Sequence, residues 1–243
     1  EKAGNLDLAQ PLHEEALKLM KAKLGPEHPN TLQSMNNLAA TYQALGKLDL
    51  ALPLYEETLK LLKAKLGPEH PNTLTTMNSL AVAYDALKQL DKAELLHRER
   101  LALVKQKSAG DSPAYAGALA SLGLNLVQQK KWTGAEPLLR ECLAIRDKTQ
   151  ADVWSTFNTK SLLGGALLGQ KKYADAEPLL LAGYEGMKQR EKSIPPQGQV
   201  RLPEAIERLI ELYIATNKPD GVKKWQAERA KYPQGDPPPK EKK

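Results

Sequence analysis

The residues of this 243-residue chain that could do chemistry are few, and most of them recur. His28 and His70 stand 42 residues apart in two copies of Leu-Gly-Pro-Glu-His-Pro, so they could act as ligands or bases at equivalent places one repeat apart. Capping or packing the linker is the simpler role. His13 and His97 occupy a slot that holds Tyr55 in the intervening copy, which points to a partly buried helical position. Glu14-Glu15 and Glu56-Glu57 could be imagined as acid/base couples. Adjacent helical positions point about 100° apart, however, and the pairs recur with the repeat, so a solvated face explains them. Cys142, the single cysteine, replaces a small residue of an apolar stripe and is expected to be inert. Gly164-Gly165 and Gly169 follow no strand, so close helix packing is expected of them rather than a phosphate cradle. Trp132 and Trp154 read as core or linker packing. Glycine-rich nucleotide loops, nucleophile elbows and His-Glu-x-x-His are all lacking. The expectation is a non-enzyme with no catalytic residue, no cofactor and no metal site.

The elements that position these residues follow from composition and from a repeat. The chain is 41% apolar, 26% charged and only 5% aromatic, the balance of a folded chain built from small aliphatic side chains that favour helix. One cysteine excludes an internal disulfide framework and fits a reducing, cytoplasmic setting. No apolar run approaches the ~20 residues of a membrane span. The net charge of +6 is spread through mixed-sign segments, with Lys240, Lys242 and Lys243 at the end. A nucleic-acid surface would concentrate its cations on one face. Neither a nucleic acid nor a membrane is therefore expected as partner.

Residues 24–65 and 66–107 match at 25 of 42 positions without a gap, and 5–23 match 47–65 at 14 of 19. Further along, Ala9, Ala51, Ala93, Ala135 and Ala176 keep the phase. Within each unit, Leu32, Met35, Leu38, Ala39, Tyr42 and Leu45 form one helical stripe, and Leu48, Ala51, Leu52, Leu54, Tyr55, Leu59 and Leu62 a second. These are helix A and helix B. Gly46 stands where a left-handed C-terminal residue is expected, and Pro29 ends the preceding segment, leaving Asn30 or Thr31 to cap the next helix A. Helix pairs that cannot bury their apolar faces alone must stack, so the predicted fold is all-α, a right-handed α-solenoid of antiparallel helix pairs. One helical-repeat domain is expected over 1–232: a half repeat at 1–23, then repeats 24–65, 66–107, 108–149, 150–190 and 191–232. The last is expected to place helix A at about 203–216 and helix B at about 219–231, with a charged outer face. The chain opens inside a repeat, at its second helix, and residues 233–243 read as a disordered Pro/Lys tail.

Leu38-Ala39-x-x-Tyr42 followed by Ala51, and Leu80-Ala81-x-x-Tyr84 followed by Ala93, resemble the tetratricopeptide repeat. The 42-residue unit, Asn36-Asn37-Leu38-Ala39 and the Leu24 to Pro29 linker are similar to its kinesin light chain type, a form widespread in bacterial multidomain arrays. The resemblance is carried by 5–107, then by Trp132-x-x-Ala135-Glu136-Pro137-Leu138 and Tyr173-Ala174-Asp175-Ala176-Glu177-Pro178-Leu179.

The resemblance implies a scaffold that captures an extended peptide or protein segment along a concave helix A surface. The family's inward positions fall on Gln33, Asn36, Asn37, Ala40 and Gln43, then on Thr75, Asn78, Ser79, Val82 and Asp85. Later units contribute Ser121, Gln128, Asn158 and Ser161, with Glu204, Glu207, Arg208 and Glu211 last. Amide side chains there donate to and accept from a peptide backbone at once. Arg208 alone of these is basic, so the two-cation carboxylate clamp of chaperone-binding members is lacking, and a neutral or basic peptide is the expected partner. The alternative is the C-terminal regulatory or recruitment tail of a larger bacterial enzyme such as a Ser/Thr kinase, as implied by the resemblance of Ser193-Ile194-Pro195-Pro196 and Lys224-Trp225 to the closing repeat of such arrays.

Overall fold

The structure, a computed structural model, describes residues 2–108 and 110–232, with side chains from residue 8 onward. The expected tail, 233–243, lies outside the described residues. The described chain is all-α, its helices arranged in consecutive antiparallel pairs, and it divides into two compact units, Glu1–Gln129 and Lys130–Lys243. The first holds α1 (Lys2–Leu24), α2 (Pro29–Ala44), α3 (Leu48–Leu66), α4 (Pro71–Ala86), α5 (Leu90–Lys107) and α6 (Pro113–Gln128). The second holds α7 (Trp132–Thr149), α8 (Trp154–Gly169), α9 (Tyr173–Gln189), two short 3₁₀ turns, α10 (Arg201–Ala215) and α11 (Pro219–Arg229). In the first unit each helix packs on the next from α1 to α6. In the second, α8 packs on α7 and α9, and α10 on α8, α9 and α11.

The turn from helix A to helix B is the same at each repeat. After α2 the chain closes with Lys47 N–H donating to Tyr42 C=O (2.9 Å) across Gly46, whose φ is 73°. The corresponding residues in later turns are Lys88, Lys130, Lys171 and Asn217, all at φ between 52° and 62°. Only the first of these five left-handed positions is glycine, so the other four carry a side chain in a region that L-residues disfavour.

The linker from helix B to helix A corrects one expectation. His28 and His70, not Asn30 or Thr31, are the caps: each is extended, and its Nδ1 accepts from the backbone N–H of Asn30 or Asn72 at 3.2 Å. The reason is Pro29 and Pro71, whose fixed φ suits the first helical position and whose ring forces the preceding residue out of the helix. Ser112 caps α6 in the same way before Pro113. Thr31 and Thr73 instead donate back to the carbonyls of Gly25 and Gly67 at 2.8 Å, tying the linker closed. The final helix A starts at Arg201 rather than 203, because Pro203 falls in its first turn, where its missing N–H is unused.

Small residues let the helices approach. Ala39, Ala51, Ala81, Ala93, Ala135 and Ala176 are fully buried. The α8–α9 crossing is tighter still, with Gly164 against the Leu180 side chain, Gly183 against the Ser161 amide and Gly186 against the Phe157 ring. Trp132 packs over Gly169 and Trp154 over Gly198, the packing roles expected of both tryptophans.

Candidate functional site

The helix A residues of the first unit divide into two groups by what they touch. Gln33, Asn37 and Thr75 are exposed, and they bond only within their own helices: Gln33 Nε2 to Asn37 Oδ1 at 2.9 Å, and Thr75 Oγ1 to Pro71 C=O at 2.9 Å. Ala40 and Val82, the latter 42% exposed, add apolar surface to the same row. Asn78, Ser79, Ser121 and Gln128 are half-buried, with Ser121 Oγ donating to Gly117 C=O at 3.0 Å. The Gln128 Oε1 is buried without a hydrogen-bond partner.

The other group holds the repeats together. Asn36 Oδ1 accepts from Thr76 Oγ1 at 2.9 Å, joining α2 to α4. Gln43 Oε1 accepts from the Tyr55 hydroxyl at 3.1 Å, joining α2 to α3, and burial pushes that phenol up to about 12. Asp85 bonds the His97 ring at 3.0 Å through Nε2 and accepts from Asn125 Nδ2 at 2.6 Å. Its carboxylate is 12% exposed and bonded to α5 and α6, so it is not free to hydrogen-bond an incoming peptide.

In the second unit the expected positions are closed. Asn158 is 9% exposed and Ser161 0%, so neither is available to a peptide. Over Ser161 lies Arg208 of α10, whose side chain packs against Gly165 and whose guanidinium donates to Ser161 Oγ at 3.1 Å and to Glu204 at 3.4 Å. An arginine covering Ser161 and Gly165 of α8 could not be foreseen, since α10 enters after an irregular loop. Cys142 is buried beside the Thr159 hydroxyl at 3.8 Å, with the buried Arg146 guanidinium bonded to that same hydroxyl. A cation one turn away is the feature that the sequence reading of this thiol missed.

Among the described residues no group of His, Cys, Asp and Glu has the arrangement of a metal site, and no helix is long and apolar enough to cross a membrane. The geometry offers neutral hydrogen-bonding groups beside apolar surface on α2 and α4, the chemistry of a binding face.

Comparison with known proteins identifies the repeat family. Two tetratricopeptide repeat family models match, one over residues 1–64 and 37–106 and the other over 116–149. A search of curated proteins returns no match. Among solved structures, a kinesin light chain of Podospora anserina with nearly identical TPR-like repeats is 25% identical, covers 78% of this chain and 90% of its own, and superposes with a TM-score of 0.68. BtubC (BKLC) from P. vanneervenii is 19% identical over 96% of this chain and 93% of its own, with a TM-score of 0.66. YrrB, a TPR protein with an unusual peptide-binding site, is 14% identical over 88% of this chain and 90% of its own, with a TM-score of 0.52. The chain belongs to the tetratricopeptide repeat family, and its structural neighbours include kinesin-light-chain-like members of that family.

Proposed function

We propose that this chain is a protein-interaction scaffold that binds an extended, uncharged peptide segment on the helix A row of its first unit. The observation that carries this reading is the exposed set Gln33, Asn37 and Thr75 beside Ala40 and Val82, amide and hydroxyl groups next to apolar surface on two neighbouring helices. Asn78, Ser79, Ser121 and Gln128 are half-buried and less accessible than these, and the buried Asn158 and Ser161 are left out of the proposed site. The peptide-binding site named for YrrB lends the reading support from a similar fold. Asp85 is engaged by His97 and Asn125, so the exposed groups of the row are neutral, which favours a neutral peptide over a basic one.

The test is a peptide-array screen with the wild-type chain and an Asn37→Ala/Thr75→Ala variant whose helical circular dichroism is unchanged. Peptides bound by the wild type and lost in the variant are the expected result. Binding that the variant retains in full would place the partner on another surface.

A further inference from the structure

One position of helix B holds a small, buried residue in three repeats: Thr58 in α3, Cys142 in α7 and Gly183 in α9. In α5 the same position, 42 residues after Thr58 and 42 before Cys142, holds Arg100. Its equivalents show where this side chain begins. A methyl group at Gly183 would lie against the Ser161 amide and the Phe157 carbonyl, on the helix A of its own repeat, while Cys142 Sγ lies 3.8 Å from Thr159 Oγ1 on the helix A that follows. Translated by the repeat, Arg100 leaves α5 between Leu74 and Asn78 of α4 on one side and Ala118 of α6 on the other.

Arg100 is half-buried, its Nε is shut off from solvent without a hydrogen-bond partner, and among the described residues no carboxylate pairs with it. Burial, with no anion to offset it, lowers the pKa of the guanidinium. Arginine is almost never buried unpaired, because the hydration it loses has to be replaced. The other two arginines enclosed between helices obey that rule. Arg146 donates to Ser155 C=O and Thr159 Oγ1, both at 2.6 Å, and Arg208 to Ser161 Oγ and Glu204. The gap above Arg100 has room: Gly117 of α6 faces open space where a Cβ would stand. A helix B side chain that passes between two helices A emerges on the face away from helix B, which is the face of the helix A row.

We infer that the guanidinium of Arg100 reaches the row between α4 and α6 and there binds one carboxylate of the partner peptide. This rests on the reading of the row as a peptide site and adds one charge to it. The segment over α2 and α4 is uncharged, and the group that follows it towards α6 is an aspartate, a glutamate or the peptide's own C-terminus. The planar fork of guanidinium donors meets a carboxylate with two parallel hydrogen bonds, stronger in a partly dehydrated gap than in water.

The probe is a library of neutral octapeptides in which each position in turn is Asp, Glu, Asn or Gln, made with a C-terminal amide, beside the unsubstituted set with a free C-terminal carboxylate. Binding to the full chain is ranked on an array and measured by anisotropy. Acid peptides are expected to bind the wild type at least tenfold more tightly than their amide counterparts, and the amide-capped set tells a side-chain carboxylate from a terminal one. That preference disappears in Arg100→Met and is reduced in Arg100→Lys, which keeps the charge but loses the fork. Arg100→Met, which removes an uncompensated buried charge, melts no lower than the wild type. A lower midpoint, equal binding of acid and amide peptides, or a preference that survives Arg100→Met would overturn the inference. Peptides lost in Asn37→Ala/Thr75→Ala but indifferent to the carboxylate would overturn it while leaving the row intact, and no binding by any peptide would overturn both.

Discussion

At the scale of single residues, backbone conformation explains more than side-chain chemistry. The left-handed turn position is glycine at 46 but lysine at 88, 130 and 171, with φ of 60°, 59° and 62°. A side chain there costs about 1 kcal/mol, partly offset by the extra freedom that glycine gives the unfolded chain. Lys88→Gly and Lys171→Gly are each expected to stabilise the chain by up to ~1 kcal/mol, and Gly46→Ala to destabilise it by about as much. Urea melts of the three variants check this, and a loss of stability in both lysine variants would show that their side chains make compensating contacts. The histidines that looked most like chemistry belong here too: His28 and His70 are helix caps, a role dictated by the proline that follows each of them.

At the scale of elements, the tightest contact is that of α8 with α9. A methyl group at Gly183 would lie 2.6 Å from the backbone nitrogen of Ser161 and 2.9 Å from the Phe157 carbonyl oxygen, and backbone cannot rotate aside. Gly183→Ala should therefore cost ~1–3 kcal/mol, the range for overpacking a filled core, with a matching fall in thermal midpoint. Gly186→Ala would drive a methyl group into the Phe157 ring, on which the Arg190 guanidinium stacks, and is expected to cost as much. The glycines of α8 were readable as close-packing residues from their helical context. Those of α9 were not, because nothing in a single helix pattern says which of its small residues will meet a neighbour's backbone.

At the scale of the whole molecule, links from one repeat to the next recur. Tyr42 donates to Glu14 at 2.9 Å, Tyr84 to Glu56, and Tyr213 to Glu177 at 2.9 Å. Where later repeats replace that tyrosine, a glutamine takes over, as Gln129 does to Glu94 and Gln170 to Glu136, both at 2.8 Å. Lys172, then Gln170, hold the Glu136 carboxyl down at about 2. Because folding lowers this pKa below its ordinary 4.5, the link contributes stability above about pH 4.5 that is lost as pH falls through about 2. Lys172 is largely solvated, so the contribution is at most about 1 kcal/mol. Glu136→Gln is expected to lower stability at pH 7 by that amount and to flatten its dependence between pH 4.5 and 2. Equal acid sensitivity in wild type and variant would assign the dependence to other carboxylates.

The amino-acid sequence by itself determined the helix pairs, their 42-residue phase, the buried alanines and the absence of recognisable catalytic motifs. Each of these is local or periodic, written in 3.6-residue spacing and in proline and glycine punctuation. Only the tertiary structure decided which helix A residues stand free. Asn36 and Asn37 are adjacent and chemically identical, yet Asn36 accepts from Thr76 forty residues away while Asn37 bonds within its own helix and stays exposed. Ser161 and Asn158 follow the same periodicity and are buried, the serine beneath a guanidinium that arrives from α10. A side chain's spacing sets the face of the helix it lies on, but what covers that face is set by residues distant in the chain, through packing that no local pattern encodes.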